Sequence, residues 1–348
     1  MARYFRPRLV NGPDGDPALL VDFRFSSRAL LLDAGDLAPL STRELGRVTD
    51  LLVSHAHMDH FVGFDRLLRA CLHRPRPLRV VGPPGMIERV GSRLASYSWN
   101  LMAERGAGFA VQTLEFAGGS LAAAALFRAG DGFRRSALAM PDLAPGVVLD
   151  DEEVLVEAAE LDHGIPCLAF AVRERLRVDV WREGLQALGL PVGPWLLEAK
   201  RALRRGLPDT APVRVDGGQV VPLGLLRGRA LHAAPGQALG YVTDIAFTPD
   251  NVARCVALTR GVGQLFIEAA FLDADAGIAA ERRHLTAGQA GRVAAQAGAG
   301  RIVPFHFSPR YQADPGALPR EAEAAFAQAR AGPGQIGDTT LGSFSVEE

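Results

Sequence analysis

The stretch Ser54 to His60 reads SHAHMDH and carries His55, His57, Asp59 and His60 within six positions. Neutral imidazole and carboxylate are the ligand types that zinc and its first-row neighbours take. Magnesium and calcium sites are instead rich in oxygen ligands. The cluster follows VTDLLV, an apolar run of strand character. Alternate side chains of an extended chain point the same way, so His55 and His57 can grip one ion. Asp59 and His60 come after the chain turns and can face a second. Burying four such groups without partners is costly, and no structural role explains all of them together. The remaining histidines are His73, His163, His232, His284 and His306. His73 and His232 are read as structural or exposed.

Such a cluster needs a rigid edge to hold it. Short apolar runs bounded by turn residues supply one: strands are expected over 18–23, 29–36, 48–57 and 77–85, with a helix over 63–73. Several strands follow within 110–160, and PCLAFAVRE is another. Strand and helix character returns at 237–247, 250–260, 264–271, 286–298, 301–311 and 319–331, with a loose tail beyond. This alternation predicts an α/β layered fold. Residues 174–238 differ, holding a Gly/Pro-rich, weakly patterned stretch with short helices. They are read as an arm-like segment inserted in a single domain spanning 1–348. The arm carries a basic run, Lys200, Arg201, Arg204 and Arg205, of the kind that contacts phosphates.

Composition narrows the class. The 348 residues are 48% hydrophobic and 22% charged, which suits a globular core. Formal net charge is -1, so no global positive field draws in nucleic acid, and any RNA contact must rest on a local patch. Three cysteines, Cys71, Cys167 and Cys255, lie far apart, which argues against a disulfide framework and for a reducing cytoplasm. The N-terminal residues lack the apolar core of a signal peptide. No apolar run approaches the roughly 18 to 20 residues that span a bilayer.

HAHMDH resembles the HxHxDH signature of the metallo-β-lactamase superfamily. Asp33 in LLLDAGD, His163 in ELDHGIPCLAF, Asp244 in GYVTDIAF and His306 in IVPFHFSPRY match further positions of that family in order, over about residues 18–312. The resemblance implies a four-layer αββα sandwich with a dinuclear metal site at one edge. One zinc would be held by His55, His57 and His163, the other by Asp59, His60 and His306, with Asp244 bridging. Manganese and iron accept the same ligand types. Two ions sharing a carboxylate leave room for a bridging hydroxide as nucleophile.

Within the superfamily the second half resembles ribonuclease Z, the tRNA 3′-end endonuclease. HGIPCLAFAVRE is similar to that family's H-x-x-P-x-x-G-Y-x-x-x-E segment, and GLPVGPWLLEAKRALRRG to its tRNA-gripping arm. IEAAF is similar to the HEAT motif, HLTAGQAG to the HST motif, and FHFSPRY to the last H-x-S-x-R-Y segment. The resemblance implies a zinc-dependent phosphodiesterase acting on tRNA precursors, as a homodimer. Asp59 would orient or deprotonate the nucleophile. His284, steered by Glu268, would protonate the leaving oxygen. The chain departs from the family in lacking a PxKxRN loop, in reading VTD at Asp244 where GDT is usual, and in carrying Ile267 at the HEAT histidine. These departures bear on substrate recognition. The alternatives are a phosphodiesterase of a small substrate such as a cyclic nucleotide, a thioester or lactone hydrolase, and a non-catalytic RNA-binding scaffold.

Overall fold

A computed structural model describes residues 4–24, 26–102 and 108–331. The 332–348 tail, read as loose from sequence, lies outside the described residues. Eight strands in chain order form the first sheet: β1 (Phe5–Leu9), β2 (Leu19–Phe23), β3 (Ala29–Leu32), β4 (Val48–Leu52), β5 (Leu78–Gly82), β6 (Ala110–Ala117), β7 (Ser120–Arg128) and β8 (Arg135–Ala137). Strands β3 to β6 run parallel, and the flanking pairs are antiparallel. The first strand, FRPRL, gives little sign of itself in the sequence. It alternates two arginines with a proline at a sheet edge, where a missing N–H is tolerated.

The second sheet has the order β18-β17-β16-β11-β10-β9, from β9 (Val147–Asp150), β10 (Val154–Asp162), β11 (Pro166–Glu174), β16 (Ala238–Val242), β17 (Gln264–Glu268) and β18 (Ile302–Phe305). Its last three strands are parallel. Apolar side chains from both sheets meet in one buried cluster that includes Phe23, Leu52, Phe116, Phe170, Tyr241 and Phe305. A second cluster seats the helices Phe64–Cys71 and Met86–Ala95 on the outer face of the first sheet. A third seats the helices Pro249–Leu258, Ala287–Gln296 and Ala317–Ala331 on the second. The result is helix, sheet, sheet, helix.

Parallel strands deliver their C-terminal ends to one edge, and ligand sites in α/β folds gather there. Asp33 follows β3, the histidine cluster follows β4, Asp244 follows β16, Glu268 ends β17 and His306 follows β18. Strands end sooner than the apolar runs do. Non-glycine residues with positive φ cannot continue a strand, and Asp33 (φ 57), Asp244 (φ 51) and His306 (φ 60) stop three of them. Strand β4 likewise ends at Leu52, the chain bends at Ser54, and His57 (φ -67, ψ 157) opens the short helix Met58–Phe61.

Between β11 and β16 the chain leaves the sandwich. Strands β12 (Leu176–Val180) and β15 (Leu231–Pro235) pair, as do β13 (Pro212–Arg214) and β14 (Val220–Pro222). With the helix Trp195–Arg204 they enclose a hydrophobic cluster of their own around Trp195, Leu203, Leu223 and Leu231. The neck is narrow. Arg173 faces Ala238 in the antiparallel register, Glu174 N donates to Gln237 O at 2.7 Å, and Gln237 N donates to Glu174 Oε2 at 2.9 Å.

Candidate metal centre

The HxHxDH segment is fixed first by Asp33. This fully buried carboxylate accepts from Ser54 N (2.6 Å), Ser54 Oγ (2.8 Å) and Tyr241 Oη (2.8 Å), and lies 2.9 Å from His60 Nδ1. With Nδ1 of His60 committed to Asp33, its Nε2 is left to face the cluster; an orienting carboxylate of this kind fixes the tautomer of a metal-binding imidazole. A glycine permits the close approach: a Cβ on Gly35 would stand 2.5 Å from the carbonyl oxygen of Asp59.

Asp244 is the hub. Its Oδ2 lies 3.5 Å from His55 Nε2, 3.4 Å from His60 Nε2 and 3.6 Å from His163 Nε2, and its Oδ1 lies 2.8 Å from His306 Nδ1. His55 Nε2 is also 2.8 Å from His57 Nδ1. Asp59 Oδ2 is 3.4 Å from both His60 Nε2 and His306 Nε2. Ligand atoms of His55, His57, His163 and Asp244 thus converge on one point, and those of Asp59, His60 and His306 on another, each set within 4.8 Å. A further convergence joins Asp244, Glu268, His284 and His306.

The electrostatics call for a cation. Burial and the neighbouring His60 push the His55 pKa down to about 2, and burial pushes His57 down, which favours the neutral imidazoles that a metal ion takes as ligands. Burial opposes charge on His60 too, but the carboxylates of Asp244 and Asp33 outweigh it and raise its pKa well above the usual value. His306 follows the same pattern, driven by Asp244. His60 Nε2 and His306 Nδ1 are nevertheless buried without an aligned hydrogen-bond partner. Carboxylates that attract positive charge, beside nitrogens that lack acceptors, fit a bound metal ion better than a proton network.

The remaining residues arrange this ring from behind. His163 Nδ1 meets the carbonyl oxygen of Arg283 at 2.9 Å, which leaves Nε2 for Asp244. Arg283 has φ 58, so four of the five non-glycine positive-φ residues among the described residues stand at this edge. Such positions cost about 1–3 kcal/mol each and persist where surrounding structure over-determines them. Glu268, fully buried, accepts from Ile245 N at 2.7 Å and holds His284 Nδ1 at 2.7 Å. Thr286 caps the helix Ala287–Gln296 in a capping box with Gln289, which fixes where His284 falls two residues earlier.

Asn251 is a residue that no sequence motif pointed to. Buried to 2%, its amide accepts from Asp162 N (3.0 Å) and donates to Asp162 O (2.9 Å) and Ala246 O (2.8 Å). It ties the loop of His163 to the loop of Asp244. Asn251→Ala is expected to cost about 1–3 kcal/mol of stability by removing three part-buried hydrogen bonds between the two loops. Loosening that support is also expected to weaken metal affinity about 10- to 100-fold. Urea unfolding and zinc titration would check both.

The basic run is not part of this cluster. Arg205 pairs with Glu152 in the turn between β9 and β10, at the other end of the nine-residue β10 from Asp162. From Val154 to Asp162 the strand spans about 26 Å at ~3.3 Å per residue. Arg204 donates to Leu176 O at 3.1 Å and lies over the Tyr4 ring, while Lys200 is half-buried and Arg201 exposed. The run therefore splits between the neck of the arm and its surface.

A αββα sandwich with a His/Asp cluster on one edge defines a metallo-β-lactamase-fold protein. Solved structures share that fold. The short form of human tRNase Z aligns with TM-score 0.51 and 18% identity, over 88% of this chain and 92% of that one. The metallo-β-lactamase-fold protein YhfI of Bacillus subtilis aligns with TM-score 0.52 and 16% identity, over 92% of each. No family model matches the chain. Ribonuclease Z of Deinococcus radiodurans is 34% identical over 328 residues, 92% of this chain and 96% of that protein, and on this similarity the chain belongs to the ribonuclease Z family. It is a metal-dependent hydrolase of the endoribonuclease class.

Proposed function

We propose that the chain removes 3′ extensions from tRNA precursors, using two zinc ions held by His55, His57 and His163 on one side and Asp59, His60 and His306 on the other, with Asp244 shared. The observation that carries this reading is the pair of ligand sets meeting at Asp244 beside the Glu268–His284 pair. When bound, the ions supply charge neutralisation at the phosphate and water that ionises near neutral pH. The imidazoles of His306 and His60 outweigh burial and hold Asp59 ionised, below the usual carboxylate range. With the ions bound, Asp59 would orient or deprotonate the attacking water. His284 stands with Nδ1 on Glu268, leaving Nε2 to give a proton to the leaving oxygen as the P–O bond breaks.

The whole chain is read as one catalytic domain with 174–238 as an arm. The arm leaves the sandwich at the end of β11 remote from His163. That position suits contact with a distant part of a folded RNA, or service to the metal centre of a second copy in a homodimer. Lys200, Arg201, Arg204 and Arg205 are the residues proposed to meet RNA phosphates, Arg201 and Arg205 being the exposed ones. No helix among the described residues is long and apolar enough to cross a membrane, in keeping with a cytoplasmic role.

Zinc-loaded protein is expected to cleave a 3′-extended tRNA precursor at the end of the acceptor stem. Bis-p-nitrophenyl phosphate and a cyclic nucleotide should be tested alongside. Turnover of the small diesters alone would reject the tRNA substrate and keep the metal centre. Light scattering should give a dimer; a monomer would reject the partner-serving arm.

A further inference from the structure

Most exposed apolar side chains on a protein surface need no explanation. Three here fall in segments that bear the metal-centre residues. Met58, between His57 and Asp59, is 78% exposed; Ile165, two residues after His163, is 41% exposed; Phe247, three residues after Asp244, is 45% exposed. Phe247 is the aromatic one, and its setting is unusual. Its backbone is held on both sides. Ala246 N donates to Asp162 O at 2.9 Å, Ala246 O accepts from Asn251 Nδ2 at 2.8 Å, and Thr248 N donates to Ala246 O at 2.9 Å. Thr248 is also the N-cap of the helix Pro249–Leu258. Ile245, two residues before Phe247, is fully buried and tied to Glu268. The ring itself joins none of the hydrophobic clusters among the described residues. A rigid backbone thus presents an aromatic ring to solvent within about 11 Å of Asp244 along the chain.

We infer that Phe247 is a stacking platform for a nucleobase next to the scissile phosphodiester; this rests on the ribonuclease reading above. Single-stranded RNA is recognised by splayed bases stacked on aromatic side chains, and such stacking tolerates any base because every base has a π-face. The ring therefore selects a nucleotide chain over a simple phosphate diester, without selecting a sequence. Because the backbone of Phe247 is fixed before substrate arrives, the contact costs little ordering. The same hydrogen bonds that brace the ring brace the His163 and Asp244 loops, which ties base recognition to the geometry of the metal centre.

The test uses the zinc-loaded protein, Phe247→Ala and Phe247→Tyr, with a 3′-extended tRNA precursor and versions carrying one abasic nucleotide on either side of the scissile bond. Phe247→Ala should lower kcat/KM on the intact precursor roughly 10- to 100-fold, chiefly through KM, and Phe247→Tyr should restore it. On the abasic substrate that lacks the stacked base, wild type and Phe247→Ala should be equally slow. An equal loss on every substrate would mark a structural role and overturn the inference, as would a Phe247→Ala enzyme with wild-type kinetics. Wild-type protein that cuts no RNA would overturn the ribonuclease reading and this inference with it. Wild-type cleavage with an indifferent Phe247 would overturn the inference alone.

Discussion

Asp244→Ala is expected to bring hydrolysis of every substrate down to background and to empty both metal positions. The reason is geometric. One carboxylate stands within 3.6 Å of nitrogens on His55, His60, His163 and His306, which come from three separate stretches of chain. Without it the two ligand sets share no atom, and the imidazoles of His60 and His306 lose the charge that draws a cation between them. Removing one partner from a buried charged network strands the others and costs about 3–5 kcal/mol. Elemental analysis beside turnover of bis-p-nitrophenyl phosphate would decide. A variant that keeps two zinc ions per chain would show that Asp244 bridges nothing. Asp244→Asn should fall between the two, since it keeps the shape and loses the charge.

His284→Ala should lower kcat about 10²- to 10⁴-fold while the metal content stays at the wild-type level. Burial opposes protonation of His284, but the Glu268 carboxylate at 2.7 Å outweighs it and raises the pKa above that of a free imidazole. The acid form is present below that pKa and is lost as the pH rises through it, so kcat should fall on the alkaline side. Glu268→Gln removes the charge that holds the pKa up and should move this alkaline limb to lower pH. It should leave the backbone bonds of Ile245 and Leu285 an acceptor. His284→Ala should abolish the limb. If the limb survives that substitution unchanged, another group donates the proton.

The four candidate ligands of the HxHxDH segment are legible because they fall within six positions and because no packing role uses them all. The layers were readable because apolar runs of strand and helix period alternate cleanly on both sides of the arm. Three features of the centre left no such trace. Tyr241 donates to Asp33 across 208 residues, and a tyrosine in the apolar run ALGYV looks like any other core residue. Asn251 acts through its amide from the first turn of a helix, where asparagine is ordinary. Arg283 orients His163 with a backbone oxygen, which no side-chain pattern can announce. The basic run misleads in the opposite way. It falls within six positions of sequence, but on a helix its members point apart, and Arg204 turns to the neck while Arg201 faces solvent.

The narrow neck has a bearing on how the family can diversify. Arg173 and Ala238 face each other on adjacent antiparallel strands, so everything between them is, topologically, one very long hairpin loop. Loop closure grows only slowly with length, at about 0.6 kcal/mol per doubling, so the sheet is nearly indifferent to what hangs from it. The arm also has its own apolar interior and does not borrow from the sandwich core. Grafting a different insert between these two residues would exchange the arm as a cassette, and the edge at the far end of β11 would keep its register.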